Sequence, residues 1–288
     1  MKPLLLCTDL DRTLIPNGAE PESPDARPRF ARFVSRPEVT LAYVSGRHRG
    51  LVREAITEYN LPVPDVVIGD VGTSIFRVTA SGWETLPDWQ EEIGRDWAGI
   101  GHDRLAERLA DIDLLRLQEP EKQAPFKLSY YAPVDVDSGA LKSELQAHLA
   151  QLGVKASLIW SIDEAADIGL LDVLPAGATK YHAVAFLMRR LGHDETTTLF
   201  AGDSGNDLEV LISPISSVLV ANGHSEVREQ ALRLAAADGQ ADRLYCARGG
   251  WSGMNGNYSA GILEGVAHFR PDLTPWLDNC IPLDSANP

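Results

Sequence analysis

Residues 4–14 read Leu4-Leu5-Leu6-Cys7-Thr8-Asp9-Leu10-Asp11-Arg12-Thr13-Leu14. A short apolar run that ends in Asp-x-Asp predicts a buried strand that presents two carboxylates at its carboxyl end. In open α/β sheets, ligands bind outside the carboxyl ends of the strands. Because two carboxylates this close repel each other, a bound cation is the natural way to keep both ionised. The stretch therefore indicates an α/β fold with metal-assisted chemistry at Asp9 and Asp11.

Composition sets broad limits on the class of protein. The chain has 288 residues, of which 44% are hydrophobic and 23% are charged, as is ordinary for a globular protein. Its formal charge of −15 argues against nucleic acid and anionic membranes as partners. An anionic substrate would need a metal and a few well-placed cations to reverse the field locally.

The cysteines and the first apolar run of the sequence indicate the cellular compartment in which the protein is expected. The three cysteines Cys7, Cys246 and Cys280 have no metal-ligand spacing, and their odd number suits reduced thiols. The apolar run at residues 4–8 is too short for a signal peptide or a membrane span. We therefore expect a cytoplasmic protein.

Strands and helices alternate in the first and last parts of the chain. After the first strand, the pattern predicts a helix through Phe30 and Phe33, a strand over 39–44, a helix over 48–59 and a strand over 66–68. Later segments predict a helix over 180–191, strands over 197–201 and 217–220, and a final helix over 260–269. Short strands followed by helices indicate βαβ units and therefore a parallel sheet.

The middle of the chain has a different pattern. Residues 127–131 and 154–160 read as strands, and Leu141, Leu145 and Leu149 mark one face of a helix that begins near Asp137 or Ser138. We therefore expect an inserted, smaller α+β domain over residues 81–169. The parallel-sheet core then comprises residues 1–80 and 170–288, and it resumes with a strand over 170–174.

Four polar clusters follow predicted strands or begin a predicted helix, namely Asp9 with Asp11, Ser45-Gly46-Arg47, Lys180, and Gly202-Asp203-Ser204-Gly205-Asn206-Asp207. Each cluster alone is ambiguous, because Asp-x-Asp also occurs in solvated turns, a serine can cap a helix and a lysine can lie at the surface. Glycine, asparagine and aspartate also favour turns for purely local reasons. Phosphoryl transfer is the chemistry that explains all four clusters together.

The residue types suggest a role for each cluster. Asp9 supplies the nucleophile that forms an aspartyl-phosphate, and Asp11 protonates the leaving oxygen and then activates water. Phosphoryl oxygens bind to side chains and backbone amides near a helix N-terminus, and the predicted phosphate-binding residues are Ser45, Gly46, Lys180 and Asn206. Mg²⁺ suits oxygen ligands, and its predicted site comprises Asp9, Asp11, Asp203 and Asp207.

These motifs, in this order, resemble those of the haloacid dehalogenase superfamily of phosphatases. The large insertion before Lys180 is similar to that of the subgroup with an α/β cap, which implies a Rossmann-like core and a cap that determines substrate specificity. Further segments resemble sucrose-phosphate phosphatases and mannosylfructose-phosphate phosphatases, namely residues 41–47, 71–76, 127–131, 171–175, 202–207 and 261–269.

The resemblance implies Mg²⁺-dependent hydrolysis of a phosphorylated disaccharide, with sucrose 6-phosphate as the first candidate. It also implies that Lys127 and Ser129 face the sugar, although a buried place on an edge strand explains them nearly as well. Asn222 follows a strand where the superfamily often places a residue near the phosphate. An association with the synthase that makes the substrate, and a monomeric or dimeric state, are compatible with the resemblance.

Two features depart from the family pattern. Arg12 stands where a smaller or neutral side chain is expected, and it either points away from the metal or reaches the sugar. Residues 249–257 are rich in glycine and contain one tryptophan, Trp251. This segment either closes over the substrate or forms a solvated surface loop.

Other functions share these motifs. A mannosylfructose-phosphate phosphatase, or another glycosyl-phosphate phosphatase, differs only in the leaving group of its substrate. The core motifs do not determine which leaving group is bound. A sugar phosphomutase uses the same aspartates to return the phosphate to a sugar. A non-catalytic sugar-phosphate sensor is a rival from another class, but such proteins lose the nucleophile or the metal aspartates, all of which are present here.

Overall fold

The structure, a computed structural model, describes residues 3–163 and 166–278. The strands are β1 (Leu4–Thr8), β2 (Val39–Val44), β3 (Val66–Gly69), β4 (Ser74–Thr79), β5 (Gly82–Thr85), β6 (Arg116–Leu117), β7 (Leu128–Pro133), β8 (Ala156–Asp163), β9 (Ile168–Pro175), β10 (Thr198–Gly202), β11 (Ser216–Leu219) and β12 (Leu244–Cys246). The α-helices are α1 (Ala26–Val34), α2 (Arg49–Glu58), α3 (Pro87–Gly94), α4 (His102–Leu109), α5 (Ser138–Gln151), α6 (Lys180–Arg190), α7 (Leu208–Leu211), α8 (Ser225–Ala237), α9 (Ser259–Phe269) and α10 (Thr274–Asp278). Cys280 lies outside the described residues.

The larger sheet has the strand order β12-β11-β10-β1-β2-β3-β4-β5. The strands from β12 to β3 run parallel, whereas β4 and β5 are antiparallel additions at one edge. Strand β1 lies between β10 and β2, and Thr8 is level with Ala201 and Tyr43. The residues that follow these three strands therefore meet at one edge of the sheet. This arrangement confirms the predicted α/β fold.

Helices cover both faces of this sheet. Strand β1 is wholly buried, and its successive side chains enter two different apolar clusters. Leu6 shares one cluster with Phe30 of α1 and Ile262 of α9. Cys7 belongs to the other cluster, together with Val184 of α6. A strand that is buried on both faces requires an uninterrupted apolar run, which is why residues 4–7 show no polar alternation.

The smaller sheet is antiparallel and has the order β6-β7-β9-β8. Helices α4 and α5 cover one of its faces, where Leu105 and Leu145 share an apolar cluster with Leu128 and Leu171. Helix α5 begins as predicted, because the carboxylate of Asp137 accepts hydrogen bonds from two backbone amides of its first turn. The middle of the chain therefore has the predicted strand–helix–strand order.

Strand pairing changes the expected position of two elements. The strand expected over 170–174 does not resume the parallel sheet, because it is part of β9 and pairs with β7 and β8. Conversely, β5 pairs with β4 in the larger sheet, and Trp89 and Ile93 of α3 pack into the core of that sheet. The larger sheet thus continues past residue 80 and the smaller one past residue 170. Local sequence does not show which sheet a strand joins.

The helices of the described residues are short. The longest has 14 residues, whereas a membrane span needs about 20 consecutive apolar residues. Within residues 3–163 and 166–278, no helix combines the length and the apolar character that crossing a membrane requires.

The close packing of α9 on β11 predicts a destabilised variant. A Cβ atom at Gly265 would overlap the side chain of Val218. We expect Gly265→Ala to lower the free energy of unfolding in urea by about 1–3 kcal/mol, because the helix must move away from the sheet. In the double variant with Val218→Ala the overlapping methyl groups are gone, and part of the loss should be recovered. Wild-type stability of Gly265→Ala would contradict this packing.

Candidate active site

Four buried side chains meet at the carboxyl edge of the larger sheet. Asp9 follows β1, Asp203 and Asp207 follow β10, and Lys180 is the first residue of α6. The Lys180 ammonium lies 2.9 Å from Asp9 Oδ1 and 2.7 Å from Asp207 Oδ1. The structure therefore brings together the predicted nucleophile Asp9, Lys180 and, with Asp203 and Asp207, three of the four predicted metal ligands.

The turn after β3 supports the position of Lys180. Gly72 has a φ of +105°, and a Cβ atom there would lie 2.6 Å from the carbonyl carbon of Thr179. Thr179 in turn caps α6, because its hydroxyl accepts a hydrogen bond from the amide of His182. Glycine adopts positive φ without a steric penalty and has no Cβ to clash. The start of α6 is thus held by a turn from a different part of the chain.

Hydrogen bonds also orient the three carboxylates. The Thr13 hydroxyl lies 3.2 Å from Asp203 Oδ1 and 3.5 Å from Asp9 Oδ2. Asp207 Oδ2 accepts hydrogen bonds from the backbone amides of Asp203 and Ser204. Carboxylate oxygens of Asp9, Asp203 and Asp207 consequently lie within 4.8 Å of one another.

The cluster has too little positive charge for its carboxylates. Burial raises the pKa of Asp9 to about 7, because the attraction of Lys180 offsets only part of the penalty for burying a charge and Asp207 adds repulsion. Burial and the repulsion of Asp207 also raise the pKa of Asp203. Burial alone would lower the pKa of Lys180, but the charges of Asp207 and Asp9 hold it above its ordinary value. A protonated Lys180 therefore contacts Asp9 and Asp207, while burial opposes the ionisation of Asp9 and Asp203.

This donor set fits a hard divalent cation. Carboxylate oxygens are preferred ligands of Mg²⁺, and Asp9, Asp203 and Asp207 are close enough to share one ion. A cation at this position would relieve the effects that raise the pKa values of Asp9 and Asp203. The predicted metal site is therefore chemically consistent at these three residues.

The carboxylate of Asp11, predicted as the acid–base group and as a metal ligand, has other partners. Two guanidinium nitrogens of Arg47 donate to it at 2.8 and 2.7 Å, and the amide of Asn17 donates at 2.8 Å. Burial raises the pKa of Asp11, but these hydrogen bonds and the charge of Arg47 outweigh burial and hold the pKa below its ordinary value. Asp11 is not among the three grouped carboxylates. A metal-binding role for Asp11 stays a prediction.

Ser45 and Gly46 follow β2 at the same edge of the sheet. Ser45 is buried, and its hydroxyl accepts a hydrogen bond from the amide of Arg47. The helix predicted over 48–59 is confirmed, because α2 begins at Arg49 and the imidazole of His48 accepts a hydrogen bond from its first turn. Ser45 and Gly46 therefore belong to the loop that leads into the helix.

Three of the four polar clusters line one cleft of about 350 Å³, through Asp9, Asp11, Gly46, Arg47, Asp203 and Asn206. Asn206 is exposed, and its side-chain oxygen accepts a hydrogen bond from Lys180 at 3.2 Å. Phosphate binding by Ser45, Gly46, Lys180 and Asn206 stays a prediction, but the last three lie in or directly beside this cleft. The Asp9 carboxylate lines this cleft, and the Lys180 ammonium lies behind it in contact with Asp9 and Asn206.

Comparison with known proteins identifies the family. The model of the sucrose-6F-phosphate phosphohydrolase family matches residues 2–270. The chain belongs to this family. It is accordingly a phosphatase of the haloacid dehalogenase superfamily, that is, a phosphoric monoester hydrolase.

Individual proteins similar to this chain agree with the family match. A protein named as a HAD-like hydrolase from Nitrosococcus oceani is 54% identical over 275 residues, which cover 96% of this chain and 74% of that protein. Probable sucrose-phosphatase 1 from Arabidopsis thaliana is 30% identical over 290 residues, and the chain spans only 61% of its length. The sucrose-phosphatase from Synechocystis sp. PCC6803, solved with sucrose and phosphate, aligns with a TM-score of 0.67 at 25% identity over 93% of this chain and 98% of that one.

Lys127 and Ser129, which the resemblance to sucrose-phosphate phosphatases places near the sugar, lie where the smaller sheet approaches the site. Lys127 Nζ is 3.6 Å from Asp172 Oδ2 of β9 and 4.0 Å from Asp70 Oδ1, and Asp70 directly follows β3. Ser129 is buried and donates to Asp172 Oδ1 at 2.6 Å. Ser129 lies on β7, an inner strand rather than an edge strand. Sugar contact by either residue stays a prediction.

Asn222 joins two loops at the margin of the site. Its side-chain nitrogen donates to the Arg12 carbonyl at 2.6 Å, and its side-chain oxygen accepts from the Tyr258 amide at 2.8 Å. Both polar groups of Asn222 are therefore engaged within the protein. This arrangement explains its burial without a ligand, and its predicted place among substrate-binding residues is untested.

The glycine-rich segment over residues 249–257 packs against the loop that precedes α1. Buried Glu264 of α9 accepts a hydrogen bond from the Gly249 amide. The side chains of Asn255 and Asn257 both donate to the carbonyl of Pro21. The segment is therefore held on two sides, which a simple solvated loop is not. Closure over the substrate stays a prediction.

Three polar residues near the site, Thr13, Arg47 and Asp70, have no role among the predictions from sequence. Arg47 and Asp70 lie within three residues of the end of a predicted strand, as Asp9 and Asp203 do, whereas Thr13 lies further along the same loop as Asp9. The same positional rule would have selected Arg47 and Asp70. Their pairing with Asp11 and Lys127 is not visible in sequence, because the partners come from separate loops.

The raised pKa of Asp9 predicts a pH-dependent stability difference. An unfolded aspartate has a pKa of about 3.9, and that of folded Asp9 is about 7. The ionised carboxylate therefore destabilises the fold progressively as the pH rises from 4 through 7. In EDTA, we expect Asp9→Asn to melt about 3 °C or more above the wild type at pH 8. The difference should shrink as the pH falls toward 4.

Asp11→Asn is the matched control for this melting experiment. The pKa of Asp11 is lowered in the fold, so its ionised form stabilises the protein above the unfolded pKa and this contribution is lost in acid. Asp11→Asn should therefore melt below the wild type at pH 8. A melting temperature of Asp9→Asn equal to or below that of the wild type at pH 8 would contradict the shortage of positive charge in the site.

Proposed function

We propose that the chain hydrolyses a sugar phosphate through an aspartyl-phosphate on Asp9, with sucrose 6-phosphate as the first candidate substrate. The observation that carries the proposal is the buried Lys180 ammonium between Asp9 and Asp207, with Asp203 beside them, at the edge where parallel strands end. The family match supports the phosphorylated disaccharide. Association with the synthase that makes the substrate stays a prediction.

The first step transfers the phosphoryl group to the protein. A carboxylate oxygen of Asp9 forms a bond to phosphorus as the bond to the sugar oxygen breaks, and Asp11 donates a proton to that oxygen. Lys180, the amide of Gly46 and the side chains of Ser45 and Asn206 are proposed to hold the phosphoryl oxygens. Lys180 also keeps Asp9 oriented, because it donates to Asp9 Oδ1.

The second step returns the nucleophile. Asp11 accepts a proton from water, the water oxygen bonds to phosphorus, and the bond between phosphorus and Asp9 breaks to release inorganic phosphate. Arg47 holds Asp11 as a carboxylate, which suits this base role but opposes the preceding acid role. The ion pair with Arg47 is therefore expected to open when an ester enters the cleft.

Mg²⁺ is the proposed cofactor, and Asp9, Asp203 and Asp207 are the residues that would hold it. When bound, it would supply positive charge against the phosphoryl group as negative charge develops. Asp11 also belonged to the predicted ligand set, but its carboxylate pairs with Arg47. Residues of the smaller sheet near Lys127 are proposed to select the leaving group.

Phosphate release from a panel of esters tests the proposal. The panel comprises sucrose 6-phosphate, mannosylfructose phosphate, trehalose 6-phosphate, glucose 6-phosphate and mannose phosphates, each with Mg²⁺ or with EDTA. We expect release to be fastest from sucrose 6-phosphate and to be lost in EDTA. Preference for another disaccharide phosphate would retain the mechanism and replace the substrate.

Variants of the carboxylates test the assigned roles in the same assay. Asp9→Asn should lower kcat by at least about a thousand-fold, because it removes the nucleophile. Asp203→Asn should raise the Mg²⁺ concentration for half-maximal activity, since it weakens a ligand. Asp135→Asn is the control, because Asp135 is exposed and is not part of the cleft lining. Substantial turnover by Asp9→Asn would refute the mechanism, and transfer of phosphate between sugar positions would instead indicate a mutase.

A further inference from the structure

Arg12 lies inside the aspartate motif and is held in an uncommon backbone conformation. Its φ is +58°, in the left-handed region that residues other than glycine rarely adopt. The Arg12 amide donates to Asn17 Oδ1 at 2.8 Å, and its carbonyl accepts from the Asn222 side chain at 2.6 Å. Contacts on both sides of the residue therefore stabilise the conformation, which directs the side chain toward the site.

The Arg12 guanidinium lies between two carboxylates. Its Nε atom is 3.3 Å from Asp203 Oδ2, and a terminal nitrogen is 3.8 Å from Glu20 Oε2. The same terminal nitrogen donates to the Asn222 carbonyl at 3.4 Å. Asp203 is 1% exposed, whereas the Arg12 side chain is 32% exposed. A partly solvated cation thus contacts a buried carboxylate of the proposed metal site.

The contact between Arg12 and Asp203 matters because the site holds more buried carboxylates than buried cations. The buried Lys180 ammonium pairs with Asp9 and Asp207, so the cluster of Asp9, Asp203 and Asp207 carries two more negative charges than Lys180 offsets. Arg12 compensates one of them at Asp203. Both Asp203 oxygens are then engaged, Oδ1 by the Thr13 hydroxyl and Oδ2 by Arg12. An incoming metal ion must share this carboxylate with a full positive charge, which repels it.

We propose that Arg12 is an internal counter-cation that competes electrostatically with Mg²⁺ at Asp203 and weakens metal binding. It stabilises the metal-free site by neutralising part of the buried charge. It thereby raises the Mg²⁺ concentration at which the site fills. This inference rests on the metal site of the proposed function and adds a residue that sets its affinity.

Calorimetric titration of the metal-free protein with Mg²⁺, without substrate, measures the effect directly. Arg12→Asn is the main variant, because asparagine tolerates positive φ and carries no charge. We expect its Kd for Mg²⁺ to fall by about five-fold or more, within the range that a partly exposed ion pair allows. Arg12→Gln, a second neutral variant, should shift the Kd in the same direction. Arg12→Lys keeps the charge and should remain within about two-fold of the wild type.

Arg77→Gln is the matched control, since Arg77 is exposed and pairs with Glu84 on β5. An unchanged Kd in both neutral Arg12 variants would overturn the proposal, and so would weaker binding, which would mean that Arg12 orients Asp203 for the metal. Asp203→Asn distinguishes failure of the proposed metal site from failure of the role proposed for Arg12. If Asp203→Asn leaves the Kd unchanged, the metal site of the proposed function fails together with this inference. If only Asp203→Asn changes the Kd, this inference alone fails.

Discussion

The hydrogen-bonded contact of the Lys180 ammonium with Asp9 and Asp207 is the interaction on which the site depends. Three carboxylates without a buried cation would carry a prohibitive desolvation penalty. The larger sheet makes the contact possible, because β1 and β10 are adjacent and parallel and end at the same edge. The close approach of Gly72 to Thr179 then places the first residue of α6 over that edge.

The charged side chains around the site show what an acidic protein needs in order to bind an anionic substrate. The chain as a whole carries a formal charge of −15, yet Arg12, Arg47, Lys127 and Lys180 all lie around the carboxyl ends of the central strands. Each of them is paired with at least one carboxylate. The carboxylates in these pairs, Asp9, Asp11, Asp172, Asp203 and Asp207, outnumber the four cations, so the local charge stays negative. Under the proposed function, attraction of the phosphate depends on a bound metal ion, and the lysines and arginines mainly orient the carboxylates.

Much of the fold could be predicted because its signals are local. The uninterrupted apolar run of β1, the four-residue spacing of Leu141, Leu145 and Leu149, and the Asp137 cap are each contained in a few residues. The error at residues 170–174 has a physical cause. An apolar strand at the centre of an antiparallel sheet resembles one in a parallel sheet, and only its pairing partners distinguish the two.

The site was partly predictable for the same reason. Asp9, Lys180 and Asp203 stand at or next to a predicted strand or helix terminus and Asp207 lies in the turn after Asp203, and the four polar clusters taken together indicated them. The pairing of Asp11 with Arg47 and the use of both polar groups of Asn222 were not predictable. These interactions join loops that are far apart in sequence, and their geometry follows from the folded backbone. Arg12 was recognisable as a departure from the family pattern, but its contact with Asp203 required the structure.

Trapping the covalent intermediate would test the central claim most directly. The protein is mixed with sucrose 6-phosphate and Mg²⁺, quenched in acid within the first turnovers and reduced with borohydride, which converts a phosphoaspartate to homoserine. The account predicts that mass spectrometry finds this conversion at residue 9 and at no other aspartate of the site. Conversion at Asp11, Asp203 or Asp207, or release of phosphate without any conversion at Asp9, would contradict it.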